Sequence, residues 1–439
     1  MVRRACIFRR VAICSAARSP VLRIFVWSLL ALFPQVPVSH AAGATDRATQ
    51  TLLKDGIIHV INGAEPLEPP VTLKMEELWR LESETRDARL VFGAIEDVER
   101  SPTGDFYLLD YVLKTVHAIS TKGEYICSIG RDGDGPGEFR SVNDCFLTSD
   151  GQVGVVEYNS QRIQYLTKDG TSLGRWSPAG FGELRVRPLF ASQVDSELVV
   201  CCRLLEPLGD RAILHAFLGR FGQNGNLLGK FFERTATLTR GEPYIFDEEA
   251  SESIRFYTAD KEGRVFVSPF YSQYCIHCYG RDGVLRKVIT REYEHFPRPP
   301  QEVERMSEIL LGQTRAQGWK SAEVAASKYE RDIYGLGITS TGDLVVETSR
   351  GCLANPAGIA IRYDVFDMGG NYVRQVVLRG EADPWEDFFF YFEDCLVRVT
   401  EGYDTAKAQS APTGKGAAGT TSTVDNTQKV ICYRLSPAS

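Results

Sequence analysis

Two acidic residues with polar neighbours stand 47 positions apart in the sequence. Asp97 follows Glu96, and Asp144 follows Asn143. Carboxylate and amide oxygens are the ligands that a hard cation such as Ca²⁺ prefers. If the fold brings both pairs to one place, these four side chains predict a divalent-cation site, for Ca or Zn. The structural alternative is that each carboxylate accepts backbone N–H bonds from a neighbouring strand.

Other parts of the sequence weaken the cation hypothesis. Two further copies of the same pattern carry Phe256 and Gly335 at the matching position, so the set of acids is incomplete. We therefore expect no cofactor, and we keep a divalent cation as the alternative.

Histidine and cysteine pairs provide two further candidates. His117 and His277 take matching positions in two copies of the pattern, and imidazole is a common zinc ligand. Both are predicted to lie on third strands, where a packed or solvated imidazole is the alternative. Cys275 and Cys278 form a C-x-x-C pair, but redox pairs need a helix N-terminus to lower the thiol pKa. On a strand their side chains point to opposite faces, which favours core packing.

Acidic residues also alternate with glycine in one linker. Asp132, Asp134 and Glu138 are spaced as in a calcium-binding loop, but the later bidentate Glu of an EF-hand is missing. This favours a turn in which glycine supplies the positive φ angles.

Three more acids end predicted second strands. Asp110, Glu157 and Glu347 are expected to cap the turns that follow them. The sequence contains no nucleophile elbow, phosphate-binding loop or HExxH helix, so it carries no recognised catalytic motif.

A 47-residue repeat must position these side chains. The step that takes Asp97 to Asp144 also takes Gly104 to Gly151, without a gap. Each unit reads as four short strands separated by Thr-Gly, Asp-Gly or Lys-Gly turns, as hairpins require. Four strands in about 45 residues make one blade of a β-propeller.

Weaker copies of the unit bring the number of blades to six. They cover residues 188–232, 256–283, 335–370 and 388–435. The last copy has only three strands. Segment 73–82 is predicted to supply the missing strand and close the ring, which removes exposed sheet edges. Segment 57–62 is predicted to be an added strand or an ordered arm.

The mature chain, residues 45–439, is predicted to be one all-β domain, a six-bladed propeller of four-stranded antiparallel blades. Two insertions interrupt it. Residues 299–332 carry apolar side chains at three- to four-residue spacing, which predicts one or two helices between blades four and five. Residues 404–428 are rich in Ala, Gly, Thr and Ser and predict a flexible loop.

Residues 1–44 have the pattern of a secretory signal peptide. They hold six Arg and no acid, with an apolar run at 24–33 and an A-x-A site at 42–44. Ten residues span only about 15 Å as a helix, against a bilayer core of about 30 Å. We expect export to the periplasm or the cell exterior, and no transmembrane segment after cleavage. An uncleaved anchor is the alternative, and Sec and twin-arginine export both remain open.

Charge and cysteine content limit the partners. Without residues 1–44, Lys+Arg falls from 50 to 44 while Asp+Glu stays at 57, which gives a net charge near −13. An acidic surface repels phosphate backbones, so nucleic acid is not an expected partner. Nine cysteines remain, an odd number, so at least one is free or pairs between chains. Most are expected to be buried as small apolar residues.

One linker resembles a known family. Residues 129–139, Ile-Gly-Arg-Asp-Gly-Asp-Gly-Pro-Gly-Glu-Phe, resemble the NHL-repeat signature that joins one blade to the next. Residues 150–170 match the same repeat, and Leu78–Glu82 looks like the start of related exported bacterial propellers. The resemblance covers residues 73–175 and implies a six-bladed propeller. It implies no activity, because this fold hosts receptors, scaffolds, lactonases and lyases, some with a His-coordinated zinc.

These features favour binding as the function. The closed repeat and the export signal predict a non-catalytic exported propeller that binds a protein, peptide or glycan through its loop face. The alternative is a metal-dependent lyase or lactonase-type hydrolase with its metal at the mouth of the central channel.

Overall fold

The computed structural model describes most of the chain. The described residues are 24–25, 49–82, 90–91, 93–240, 245–251, 256–316, 323–402 and 428–438. Within them the fold is all-β, with six four-stranded antiparallel blades that follow one another along the chain, as predicted. The predicted signal peptide, residues 1–44, lies outside the described residues except for Ile24–Phe25, a two-residue strand beside the end of blade 3.

Blades 1 and 2 are the two units related by 47 residues. From the inner to the outer strand, blade 1 consists of Ile95–Arg100, Phe106–Asp110, Thr115–Ile119 and Tyr125–Ile129. Blade 2 consists of Asp144–Leu147, Val153–Glu157, Arg162–Leu166 and Ser172–Trp176. The inner strands of both are buried on almost every residue, whereas the outer strands are only partly buried. A strand that is covered by a neighbouring blade on each face reads as a continuous apolar run.

The strands of blade 3 are longer than those of blades 1 and 2. Its strands are Val186–Val194, Glu197–Leu208, Arg211–Phe221 and Leu227–Arg240. The last three continue past the ring as a three-stranded ribbon, which we call the blade-3 extension, residues 203–216 and 234–240. Leu204 pairs with His215 there, and His215 pairs with Thr235.

Three blades complete the ring. Blade 4 consists of Tyr257–Ala259, Val265–Val267, Cys275–Tyr279 and Leu285–Arg291. Blade 5 consists of Ile333–Ile338, Leu344–Thr348, Ile359–Phe366 and Tyr372–Arg379. Blade 6 consists of Phe388–Tyr391, Cys395–Val399, Lys429–Pro437 and, as its outer strand, Val71–Glu82. The predicted closing strand is therefore confirmed, because the start of the chain pairs with its end.

Helices and short strand pairs lie in the connections between blades and, in blade 5, between its second and third strands. Helices α1, α2 and α3 span Glu248–Ser251, Pro300–Ala316 and Ser349–Leu353. Two parallel pairs of short strands join Arg131–Asp132 to Glu138–Phe139 and Ile245–Asp247 to Glu323–Ala325. The predicted insertion thus holds one long helix, α2, and then a strand. Among the described residues, no helix is both long and apolar enough to cross a membrane.

Residues 50–82 run along the outer edge of the ring over blades 4, 5 and 6, and we call this segment the strap. Gln50–Lys54 and Ile57–Asn62 form a hairpin, and its second strand adds parallel to the outer strand of blade 4. Val71–Lys74 then adds parallel to the outer strand of blade 5 before the same strand closes blade 6. Of the two alternatives that the sequence left open for segment 57–62, the structure shows the added strand.

One amide fixes this strap. Asn62 is buried, and its Nδ2 donates to the carbonyl oxygens of Thr290 in blade 4 and Gly370 in blade 5, both at 3.0 Å. Its Oδ1 accepts the backbone N–H of Tyr372 at 2.9 Å. The strap is thus bonded to two blades at one point.

Aromatic packing joins blade 1 to blade 6 where the ring closes. Phe106 of blade 1 lies edge-on to Trp79 of the closing strand, with centroids 5.3 Å apart, and to Phe392 of blade 6 at 5.9 Å. All three side chains are buried. Buried aromatic pairs add stability beyond the area that they bury.

Candidate functional site

The two faces of the ring differ in the length of their connections. On one face, the connections from first to second and from third to fourth strands are turns of two to five residues. They are 101–105, 120–124, 148–152, 167–171, 195–196, 222–226, 260–264, 280–284, 339–343, 367–371 and 392–394. We call this side the turn face. Almost all of these turns carry the glycine with positive φ that the repeat predicted, as at Gly104 and Gly151.

The opposite side, the loop face, carries the long connections. They include residues 130–143, 245–251, 292–316, 323–332 and 349–358, as well as the blade-3 extension. Of the predicted loop 404–428, residues 404–427 lie outside the described residues. Gln428 is buried and accepts the backbone N–H of Ile95 at 2.8 Å, so it belongs to the propeller. Binding residues in repeat folds concentrate where loops vary over a rigid scaffold.

A cap covers part of the loop face over blades 4 and 5. It comprises residues 245–251, 292–316 and 323–332, which come from the linkers before and after blade 4. The two linkers pair directly, because Ile245–Asp247 and Glu323–Ala325 form parallel strands. Within the second linker, Arg298 N–H donates to Lys328 O and Glu330 N–H donates to Phe296 O, both at 2.9 Å. The cap is thus a folded part of the loop face.

A buried ion network holds the cap in place. The Arg298 guanidinium is 1% exposed and bonds Glu248 at 2.9 Å and Glu330 at 2.6 Å. It also donates to Tyr271 Oη of blade 4 at 3.1 Å, while Tyr334 Oη of blade 5 donates to Glu330. Burial acts to lower the pKa of Arg298, but the two carboxylates outweigh it and raise the pKa. The network joins both linkers to two blades.

Helix α2 reaches toward blade 6. Arg305 forms ion pairs with Glu386 at 2.5 Å and with Glu302 at 3.4 Å. Beneath the helix lies a narrow recess with a cavity volume of about 20 Å³. Its lining includes the apolar side chains Met306, Ile309, Leu353 and Trp385. It also includes Arg298 and Glu330 of the ion network.

A wider cleft lies where the strap meets the cap. It has a volume of about 410 Å³ and is lined by Ala64, Glu65, Arg291, Glu292, Tyr293, Glu294 and Arg350. At its base, Arg291 pairs with the buried Asp364 and lies 4.5 Å from the Tyr372 ring. Burial acts to lower the pKa of Arg291, but Asp364 outweighs it and raises the pKa.

The predicted cation site lies at the loop-face end of the inner strands. Asp97 Oδ2 accepts the backbone N–H of Cys145 in blade 2 at 3.4 Å, and the Cys145 thiol lies 3.6 Å away. Asp144 Oδ2 accepts the backbone N–H of Ala191 in blade 3 at 2.8 Å. Each carboxylate therefore links its own blade to the inner strand of the next, which is the structural alternative weighed above.

The neighbours of these acids are also buried. Asn143 Nδ2 donates to Leu189 O of blade 3, which repeats the link between blades. Glu96 is 5% exposed, and burial, together with the charges of Asp110 and Asp97, raises its pKa to about 8. Within the described ranges, no group of three or more His, Cys, Asp and Glu side chains is placed to hold a metal ion.

His117 makes polar contacts within blade 1, and His277 packs against aromatic rings. His117 Nδ1 lies 3.0 Å from Ser128 Oγ, and Nε2 lies 3.5 Å from Asp110 Oδ2. The His277 ring lies between blades, 6.3 Å from Phe232. Burial lowers the pKa of His277 to about 4. The structure keeps the two rings on third strands of different blades, as predicted.

The acids that end second strands bind backbone, with one correction. Asp110 accepts the N–H groups of Gly93 at 2.6 Å and of Leu113 at 2.8 Å, so it fixes both the linker and the turn. In blade 5 the residue that ends the strand and caps α3 is Thr348, which accepts from Gly351 N–H at 2.9 Å. Glu347 instead accepts from the Cys352 thiol at 3.2 Å. The sequence prediction therefore matched Asp110 to Glu347, one residue before its structural equivalent, Thr348.

The acids of the Gly-rich linker are paired with arginine. Asp134 bonds Arg140 at 2.5 Å, and Glu138 bonds Arg131 at 2.7 Å. The hydrogen bond to Arg140 lowers the pKa of Asp134. These contacts support the inter-blade turn.

The nine cysteines in the described part of the chain form no disulfide bonds, and eight of them are buried. Cys127 is partly exposed. Burial raises the pKa of Cys275 to about 12, which keeps it a thiol at neutral pH. The structure thus agrees with the prediction that most cysteines pack as apolar residues.

Comparison with known proteins bears directly on the fold. Residues 75–171 match the model of the DUF5128 family, described as a six-bladed β-propeller. The chain is a six-bladed β-propeller. The match covers most of the closing strand, blade 1 and the first three strands of blade 2, within the segment where the NHL resemblance was found.

Solved structures similar to this propeller share little sequence with it. An exported-protein candidate from Bacteroides fragilis has 12% identity and a TM-score of 0.45, covering 85% of this chain and 100% of that one. A Bacteroides vulgatus protein of the DUF4221 family has 10% identity and a TM-score of 0.42, with coverage of 90% and 100%. An inactive variant of Staphylococcus aureus virginiamycin B lyase with quinupristin has 12% identity and a TM-score of 0.36, with coverage of 73% and 84%.

A search of curated sequences finds no significant match.

Sequence reasoning missed the ion network of the cap. Glu248, Arg298 and Glu330 lie in irregular linkers, 50 and 32 residues apart, where no periodicity relates them. The one available signal was compositional, because charged residues stand beside apolar ones at both ends of the insertion 299–332.

Proposed function

We propose that the protein is an exported, non-catalytic propeller that binds a protein, peptide or glycan through its loop face. The observation that carries this proposal is the difference between the faces. Ten of the eleven turn-face connections are tight turns of three to five residues and one has two, whereas connections of up to 41 residues lie on the loop face. A scaffold that varies its loops on one face only is typical of a binding surface.

The cap supports this proposal because it is held rigidly. The Arg298 network bonds it to blades 4 and 5, and Arg305 bonds α2 to the linker before blade 6. A surface that is already ordered loses less conformational entropy when a partner binds. The cap thus provides a preformed shape beside the opening of the ring.

The bonds of the inner-strand acids support the non-catalytic part. Carboxylate oxygens of Asp97 and Asp144 accept hydrogen bonds from backbone N–H groups of the next blade, so these residues link neighbouring blades. The export part rests on the signal pattern of residues 1–44.

Site-specific photocrosslinking tests the proposal. A photoreactive amino acid is placed at Tyr329, an exposed residue of the cap, and in a second protein at Lys122, an exposed residue of a turn-face turn. Both proteins are irradiated in the exporting cell. We expect one discrete adduct from position 329 and none from position 122. Adducts from both positions, or from position 122 alone, would contradict the proposal.

One observation favours the enzymatic alternative. Glu96 is a buried carboxyl with a pKa of about 8 near the channel mouth, which is a property of many general acids. In a lyase or lactonase reaction, a metal at Asp97, Asp144 and Asn143 would supply an activated water, and it would first have to displace the backbone groups that these side chains bind. Elemental analysis of the mature protein, purified without chelator, separates the two: about one Ca or Zn per chain that disappears in Asp97→Asn/Asp144→Asn would favour the enzyme.

A further inference from the structure

Two of the nine cysteines lie side by side in blade 6. Cys395 is on its second strand and Cys432 on its third, and the two residues are 3% and 0% exposed. The strand register places Cys395 opposite Arg434, two residues along the strand from Cys432. Because side chains alternate between the faces of a strand, Arg434 and Cys432 share one face. The two cysteines are therefore diagonal neighbours on that face.

The backbone pairing brings these two side chains together. Leu435 N–H donates to Asp394 O at 3.0 Å, so the next pair along, Cys395 and Arg434, is one without backbone hydrogen bonds. Side chains stand closer in such pairs than in hydrogen-bonded ones. Both cysteines belong to the same core cluster, and the Cys395 thiol lies within hydrogen-bonding reach of Cys432.

The other seven cysteines are placed differently. Cys201 adjoins Cys202, and Cys278 follows Cys275 by three residues, so the members of each pair point to opposite faces of their strand. The remaining three thiols bond oxygen atoms of other residues: Cys127, Cys145 and Cys352. The fold therefore favours one pairing, between Cys395 and Cys432.

We propose that Cys395 and Cys432 form a disulfide bond when the protein folds in an oxidising compartment. The inference rests on the export part of the proposed function, since disulfides form and persist in such compartments. The oxidant is the disulfide of a thiol oxidase there. One cysteine, as its thiolate, attacks that disulfide and forms a mixed disulfide, and the second cysteine then attacks the sulfur of the first. The new S–S bond forms, the oxidase leaves as a dithiol, and two electrons and two protons have passed to it.

Burial makes this reaction part of folding. The bond to the Cys395 thiol and the burial of the side chain raise the pKa of Cys432, against the opposing charge of Arg100. A buried thiol of raised pKa reacts slowly, because the thiolate is the attacking species. The disulfide must therefore form before blade 6 packs, while the oxidase still reaches both sulfurs.

The disulfide would secure the closure of the ring. Cys432 lies opposite Trp79 of the closing strand, and Cys395 lies on the adjacent strand of the same blade. Along the chain, these two strands of blade 6 are separated by residues 400–428. A cross-link across so long a segment restricts the unfolded chain and so stabilises the folded one.

Mass spectrometry tests the proposal directly. The full chain is expressed in its host and recovered from the periplasm or the medium. Its free thiols are alkylated under denaturing conditions, and it is digested without reductant. We expect one cross-linked pair of peptides that joins Cys395 to Cys432, with the other seven cysteines alkylated. Alkylation of all nine cysteines, or a different pairing, would overturn the disulfide and leave export intact.

Refolding in vitro separates the thiol pair from export. Residues 45–439 are refolded from the reduced, denatured state with oxidised and reduced glutathione. We expect the same cross-link, and an unfolding temperature that falls by several degrees when reductant is added. Cys395→Ala and Cys432→Ala should each abolish this dependence on reductant, whereas Cys278→Ala, at a buried cysteine of blade 4, should keep it.

The two experiments fail in different ways. A cross-link that forms on refolding, in a protein whose full chain stays in the cytoplasm, would support the thiol pair and contradict export. Refolded protein without the cross-link would overturn the pair, wherever the full chain resides.

Discussion

The Asp144 carboxylate of blade 2 accepts the backbone N–H of Ala191 in blade 3 at 2.8 Å, and both residues are fully buried. Asp97 makes a similar bond from blade 1, to the N–H of Cys145 in blade 2, at 3.4 Å. The repeat thus reuses one acid as a link between successive inner strands, and the link ends at blade 3, where Ala191 takes the matching position.

Asp144→Ala should lower the free energy of unfolding by about 1–3 kcal/mol, because it leaves a buried N–H without its acceptor. Asp144→Asn should lose less, since its amide oxygen can still accept the bond. Denaturant unfolding of the three proteins measures this. The exposed Asp150, replaced by Ala, is the control. If Asp144→Asn lowers the free energy of unfolding as much as Asp144→Ala does, and calcium stabilises wild type alone, the result would favour cation binding by Asp144 over a link between blades.

Glu96 should make stability depend on pH. Its pKa is raised from 4.5 to about 8 in the folded protein, so the folded state binds more protons than the unfolded state between these values. Stability contributed by the protonated carboxyl is therefore complete below about pH 4.5 and is lost as pH rises through about 8. Compared with wild type, Glu96→Gln should lose less stability from pH 5.5 to 8.5, by an amount on the order of a few kcal/mol. Parallel profiles for the two proteins would show that Glu96 is not buried as described.

Arg298 should be the main anchor of the cap. Arg298→Met leaves Glu248 and Glu330 as buried carboxylates without their cation, which commonly costs about 3–5 kcal/mol. We expect faster hydrogen exchange in peptides of α2 and a lower unfolding temperature. Arg80→Met, at an exposed pair with Glu77, is the control and should change neither. Unchanged exchange in α2 would mean that other contacts hold the cap.

Asn62 should fix the strap to blades 4 and 5. Asn62→Ala removes hydrogen bonds to Thr290, Gly370 and Tyr372 and should cost about 2–3 kcal/mol. Hydrogen exchange should rise in residues 50–62 before the rest of the protein unfolds. Asn226→Ala, at an exposed position of the turn face, serves as the control. A loss of stability without faster exchange of the hairpin would contradict the proposed role.

The repeat explains why so much of the fold could be predicted. The 47-residue step located both Asp97 and Asp144 at inner strands, and the three-stranded last unit required the closing strand that Val71–Glu82 supplies. A one-residue error in matching blade 5 moved the turn cap from Thr348 to Glu347, because an isolated copy has no second signal to fix its register.

The candidate site was less predictable for a physical reason. A carboxylate at an inner strand has the same sequence signature whether it binds a cation or a backbone N–H, and only the position of the next blade decides between them. Arg298 and its partners lie in linkers without periodicity, so their contacts depend on how the whole insertion folds back on the ring.

The most direct test of the central claim is hydrogen exchange of the mature protein with and without the partner recovered by crosslinking at position 329. The account predicts slower exchange on binding in loop-face peptides, including residues 300–316, and unchanged exchange in the turns 120–124 and 167–171. Protection of the turn-face peptides, with none on the loop face, would contradict it.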